Sequence, residues 1–258
     1  MRSPEGEIAS AHQDQKPSSR NRRGPGSALM VAAGVLVLIA GTFAFLANRH
    51  HDQQNQLIRA SGIPSTVSTP LATLMSLSPV AANPAPDFTL TDQNGRTLSL
   101  SSFRGRAVVL EFMDTHCTDI CPIISQEFID AYRDLGTAAS HVVFVAVNVN
   151  VYHAGVSDVA AFSQEHQLNT IPSWHFFTGS PSDLHSVWRH YGIQVQAPSP
   201  NADIIHSSFV FFIDPTGHER YLANPTDDHT SSGTAYLPAG PLASWGQGIA
   251  LMARSLTN

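Results

Sequence analysis

The chain is 258 residues long and carries a formal net charge of −6, from 14 Lys and Arg against 20 Asp and Glu. Two cysteines are too few for a disulfide-stapled scaffold, and beyond a short arginine cluster near the N-terminus there is no basic run to bind nucleic acid. The length allows one or two domains, and the 13 histidines identify no metal site by count alone.

Residues 1–27 are polar, rich in Ser, Gln, Arg and Pro, and cannot bury a core, so a disordered tail is expected. Residues 28–47 are uncharged and apolar throughout. As a helix this run spans ~30 Å, the thickness of a bilayer's hydrocarbon core. Arg20, Arg22 and Arg23 precede it and only Arg49 follows closely. The positive-inside rule then keeps the N-terminus in the cytoplasm and exports everything after Asn48. A cleaved signal peptide is the competing reading. Against it, the run exceeds an h-region of roughly 7–15 residues and has no small-x-small site at its end. Residues 48–83, with Pro64, Pro70 and Pro79 and no sustained periodicity, read as a tether containing one short apolar patch, Leu71 to Leu77. The folded domain is expected over 84–258.

Within it, Phe88-Thr89-Leu90 and Thr97-Leu98-Ser99-Leu100 flank the turn sequence Asp92-Gln93-Asn94-Gly95 and predict a β-hairpin. An apolar strand over 107–112 contains one oddity, Glu111, which either faces solvent or carries a raised pKa. After the strand come Cys117 and Cys121, then Ile123, Ile124, Phe128, Ile129 and Tyr132 at helical spacing, ending before Gly136. Four positions apart, the two sulfurs are expected on one face of a helix start. Unpaired N–H groups and the helix dipole favour a thiolate there. Such a pair can bind a soft metal or cycle with a disulfide.

The pattern continues with a buried strand over 141–147, a helix over 156–166 and a short strand over 174–177. A helical stripe of Leu184, Val187, Trp188 and Tyr191 follows, then a loop over 193–205. A strand over 209–213 turns at Asp214-Pro215-Thr216-Gly217 and pairs back through 218–222, and a last helix covers 242–256. Alternating strands and helices predict an α/β fold, and the final hairpin makes its sheet mixed.

Two blocks, Thr115-His116-Cys117-x-Asp119-x-Cys121-Pro122 and His206-Ser207-Ser208-Phe209-Val210-Phe211-Phe212-Ile213-Asp214-Pro215-x-Gly217, resemble the signature regions of the Sco/SenC family. Trp174, Thr178-Gly179-Ser180 and the opening Pro86-Asp87-Phe88-Thr89-Leu90 are similar too, so the resemblance runs over most of 86–222. It implies a thioredoxin-like fold with an N-terminal β-hairpin, and the single transmembrane helix fits the family's membrane anchor. A bacterial cell membrane is favoured over the mitochondrial inner membrane, because the N-terminal tail is not a convincing transit peptide. The resemblance also implies a copper metallochaperone, not an enzyme, that serves cytochrome oxidase assembly. Carried over, the family's copper ligands fall on Cys117, Cys121 and His206, and the partner is an apo-cuproprotein such as cytochrome c oxidase subunit II. The chemistry agrees: thiolates select Cu(I), imidazole suits copper, and three ligands leave a position open for transfer.

Two departures from the family stand out: Thr118 replaces the usual proline, and Asn148-Val149-Asn150-Val151-Tyr152-His153 replaces a charged loop. Asp119 reads as a helix-start or surface residue, and His116 as structural. The alternative function is a thiol–disulfide oxidoreductase using Cys117 and Cys121, a job that can coexist with copper delivery. The three-residue spacer departs from the usual C-x-x-C, and His206 is the feature such an enzyme does not need. A peroxidase-like redoxin lacks its threonine, since Asp114 stands three before Cys117. No phosphate-binding glycine loop, H-E-x-x-H or G-x-S-x-G is present.

Overall fold

The computed structural model describes residues 62–257, with Phe43, Arg49, Gln53 and Gln56 before them. The expected tail over 1–27 and, apart from Phe43, the expected membrane anchor over 28–47 lie outside the described residues. Among the described residues no helix is long and apolar enough to cross a membrane. The chain divides into two units, Met1–His51 and Asp52–Asn258, and the fold below is that of the second.

The first element over residues 62–257, α1 (Thr69–Leu74), starts at Ser68, whose hydroxyl accepts the Leu71 N–H. A two-residue strand β1 (Ser78–Pro79) leads to the expected hairpin, β2 (Thr89–Thr91) and β3 (Thr97–Ser99). Asp92 holds the hairpin turn by accepting the Asn94 and Arg96 N–H groups, each at 2.9 Å. Then come β4 (Ala107–Met113), α2 (Ile120–Leu135), β5 (Val142–Asn148), α3 (Val156–Glu165), β6 (Trp174–Phe177) and α4 (Pro181–His190). The chain continues through β7 (Val195–Gln196), β8 (Ile205–His206), β9 (Val210–Ile213) and β10 (Glu219–Ala223). It ends with β11 (Asp228–His229), β12 (Ala235–Tyr236) and α5 (Ala239–Ser255).

Six strands form one mixed sheet in the order β1-β10-β9-β4-β5-β6. β4, β5 and β6 are parallel, whereas β9 runs antiparallel to β4 and pairs with β10 as a hairpin. β4 and β5 are buried along their whole length because both faces of the sheet are covered. Alternate side chains point to opposite faces. Val109, Met113, Phe144 and Phe212 meet Ile124, Phe128, Phe162 and Trp245 from α2, α3 and α5. Val108, Leu110, Phe112, Val145 and Phe211 meet Leu184, Val187 and Trp188 of α4, with Phe88 and Leu90 of the hairpin.

Two expectations need correction. The stretch read as a tether contributes Ile63, Val67, Leu71, Met75 and Leu77 to the core, so from Gly62 onward it belongs to the folded unit. Its apolar residues are too few and too irregular to show a period, yet they cover the face of α5 beside Gly248, whose missing side chain leaves room for Met75. The loop over 193–205 is in part a two-stranded ribbon, since β7 pairs with β8 and thereby carries His206.

Candidate metal centre

The site stands at the C-terminal end of β4. The chain leaves Met113 and turns at Asp114, a buried residue whose Oδ1 accepts the His116 N–H and the Asn150 side-chain amide, each at 2.8 Å. Asp114's carbonyl accepts the Cys117 N–H at 3.3 Å. The turn delivers Cys117 ahead of α2, not within it, so the expected pair on one helix face is corrected: only Cys121, second residue of α2, is helical. The sulfurs still meet. The Cys121 N–H, one of the unpaired donors at the helix start, reaches Cys117 Sγ at 3.3 Å.

The two thiols are unequal. Cys117 is half-buried and Cys121 fully buried. Cys117 is held below the usual thiol value, chiefly by the Cys121 thiol donating to it and then by the N–H groups of Cys121 and Asp119, against its own burial and the Asp114 charge. Cys121 is pushed well above that value by the same hydrogen bond, by burial and by the Cys117 charge. Cys117 therefore ionises first.

His206 approaches from β8. Its Nδ1 lies 3.0 Å from the Ser207 carbonyl, which can only accept, so Nδ1 carries the proton and Nε2 keeps its lone pair. Burial lowers its pKa and favours the neutral ring, partly offset by that hydrogen bond and by Asp114. Cys117 and His206 line one cleft of about 810 Å³ together with Asp119, Asp203, Ile205, Ser208 and the turn at Ser232–Ala235. Cys121 lies beneath and does not line it. A second cleft of about 470 Å³ opens on Cys117, lined by His116, Asp158, Phe162, Glu165 and His166.

Other residues fall where the sequence left them open or missed them. The His116 and His153 rings lie with centroids 3.6 Å apart, tilted by 31°. The Asn148–His153 loop braces itself. Asn148 accepts the Asn150 N–H and donates to the Asn150 and His153 carbonyls, while Asn150 accepts the Tyr152 and His153 N–H groups. Asn150 also grips Asp114, tying this loop to the cysteine turn. Asp119 lies 3.2 Å from Nε2 of His229, a histidine that no sequence motif singles out. Asp119, Asp227 and His229 form the one trio, among the described residues, whose ligand atoms lie within 4.8 Å of one another. Cys117, Cys121 and His206 converge more loosely. Glu111 turns inward, is fully buried and accepts the Ser208 hydroxyl at 2.9 Å, and burial raises its carboxyl to about 8.

The sequence profile described as SCO1/SenC matches residues 78–234. The SCO1 protein homolog of Bacillus subtilis is 25% identical over 132 residues, covering 50% of this chain and 68% of that protein. The mitochondrial SCO2 homolog of Bos taurus is 29% identical over 139 residues, covering 51% of this chain and 50% of that protein. In fold, the chain is similar to the structure of Bradyrhizobium japonicum ScoI with copper bound, with a TM-score of 0.53 and 19% identity over 67% of this chain and 99% of that one.

Proposed function

The chain belongs to the SCO1/SenC family, and from that premise we propose that it is a copper carrier that holds the ion through Cys117, Cys121 and His206 and passes it to an extracytoplasmic cuproprotein. The dinuclear copper site of cytochrome c oxidase subunit II is the client this membership suggests. The observation that carries the reading is the cleft that an easily ionised Cys117 and a neutral His206 line together. Copper bound to the Bradyrhizobium japonicum relative supports it. The arginines ahead of the apolar run 28–47 support a single-pass anchor in a bacterial inner membrane, with the folded unit outside the cytoplasm.

As cargo, Cu(I) meets Cys117 first, because this thiol opens on solvent and is the first to lose its proton. His206 Nε2 supplies the second donor with no proton to displace. Cys121 completes the set as its buried thiol ionises, so loading releases protons. Two soft sulfurs and one nitrogen suit Cu(I), and the cleft leaves the fourth side open to a client's ligand. Oxidation of the pair to a Cys117–Cys121 disulfide, with two electrons passing to an external oxidant or a partner disulfide and two protons released, removes both thiolates and blocks loading.

The unequal thiols favour one further reading, a thiol–disulfide oxidoreductase in which Cys117 attacks and Cys121 resolves. His206 separates the two. Cu(I) affinity of the reduced chain is measured by competition with a chromophoric chelator, beside His206→Ala. One tightly held copper, weakened at least tenfold in the variant, is expected. An unchanged affinity would remove His206 from the site, and no copper at all, with a dithiol in ready exchange, would favour the oxidoreductase.

A further inference from the structure

Two buried glutamates, one of them bonded to a residue of the cleft wall, take no part in the reading above. Glu111 is the fifth residue of β4 and follows Val109 and precedes Met113 at two-residue spacing, so it faces the same layer under α2 and α5. Glu127 comes from α2, and both side chains are fully buried. Glu111 Oε1 accepts the Ser208 hydroxyl at 2.9 Å, and the N–H groups of Phe112 and Phe209 also reach this carboxyl. Among the described residues, Glu111 Oε2, both Glu127 oxygens and Trp245 Nε1 of α5 have no hydrogen-bond partner.

No lysine or arginine of the described residues acts on either carboxyl. The charged and titratable groups around them are few. α2 brings Asp130, whose charge acts on Glu127, and carries Cys121 six positions before Glu127. α5 brings Trp245, β5 sets Ala146 beside Glu111, and the 206–209 segment brings Ser208 and His206. Two neighbouring carboxyls in an apolar layer without a counter-cation do not both ionise, so they retain protons at neutral pH. Ser208, which holds Glu111, lies two residues after His206 and lines the same cleft.

We propose that Glu111 and Glu127 form a buried acid pair that fastens the His206-bearing segment through Ser208, so that the placement of His206 in the cleft follows the proton content of the pair. The consequence for metal rests on His206 being a ligand; the pair and its coupling do not. When Glu111 ionises, the Ser208 hydroxyl and Phe209 N–H become charge-assisted donors and shorten, and the segment shifts with them. Burial places this event near pH 8 for Glu111, and burial together with the Glu111 charge holds Glu127 well above the usual carboxylate range.

The test is an NMR titration of the metal-free, reduced full chain in detergent micelles, with ¹³C-labelled glutamate carboxyls and ¹⁵N-labelled backbone and histidine. The Glu111 carboxyl carbon is expected to titrate with a midpoint near 8, and the Phe209 amide and His206 ring resonances to move with the same midpoint. E111Q erases that step and moves the Glu127 midpoint down, because the Glu111 charge no longer opposes its ionisation. E127Q leaves the Ser208 hydrogen bond in place and keeps the coupled step, which preserves the test if E111Q does not fold. A Glu111 midpoint in the ordinary carboxylate range of about 4.3, or a Glu111 step that His206 and Phe209 ignore, would overturn the proposal. Copper affinity is read separately. If His206→Ala binds copper normally while the coupled step persists, the ligand reading fails and the acid pair stands.

Discussion

Cys117 and Cys121 have the same side chain and different acidity, and the difference comes from the hydrogen bonds Cys117 accepts and from the deeper burial of Cys121. Cys117 is lowered and half-buried; Cys121 is raised and covered. Alkylation of the reduced chain followed by peptide mass spectrometry should therefore label Cys117 first. The reaction should already be fast below the usual thiol value of about 8.5, with Cys121 labelled only on unfolding. Equal labelling would contradict the asymmetry. Glu111 gives a second prediction at this scale. Its carboxyl is raised from 4.5 to about 8, so between those values the native state binds the proton more tightly than the unfolded chain. Stability must then fall as pH rises through this window, by on the order of 5 kcal/mol from Glu111, with Glu127 adding in the same direction. Denaturant unfolding at several pH values should show that slope, and E111Q should flatten it. A slope of the opposite sign in both proteins would refute the burial account.

At the scale of elements, the parts that carry the site were legible because their signals are local. β4 was readable from Ala107 to Phe112, α2 from the spacing of Ile124, Phe128 and Ile129, and the β9–β10 hairpin from Asp214-Pro215-Thr216-Gly217. What stayed hidden depends on partners distant in the chain. Residues 62–77 look like a linker until α5, more than a hundred residues later, supplies the surface they cover. The β11–β12 hairpin has no apolar alternation, and it brings His229 to Asp119 through tertiary placement alone. Glu111 is visible in the sequence as an oddity, but its direction is set by Ser208 and α2. The role of this early segment is testable. Met75→Ala should cost about 2–5 kcal/mol in chemical denaturation, because Met75 is fully buried against Gly248. A cost near zero would return the segment to a tether. Gly246 marks the other close contact. A side chain there would meet the Asp130 Cβ at 2.7 Å, so Gly246→Ala should loosen α2 against α5 and lower the thermal midpoint by several degrees.

Over the whole folded unit, the two ends of β4 differ in charge. At its N-terminal end Arg104 and Arg106 line a cavity together with Asp87 and Asp214, and Arg96 lines a neighbouring one. The cysteine end differs: Asp114, Asp119 and Asp203 line one cleft, Asp158 and Glu165 the other, and no lysine or arginine lines either. That polarity favours a cation arriving at Cys117, and stopped-flow loading should slow as ionic strength rises. A salt-independent rate would remove steering from the account. The central claim is that two thiols and one imidazole, brought from β4, α2 and the β7–β8 ribbon, close on one copper ion. X-ray absorption at the copper edge of the Cu(I)-loaded chain reads that claim directly. The account predicts two sulfur scatterers and one imidazole nitrogen, with the imidazole signal lost in His206→Ala. A site with no sulfur, or an unchanged spectrum in that variant, would contradict it.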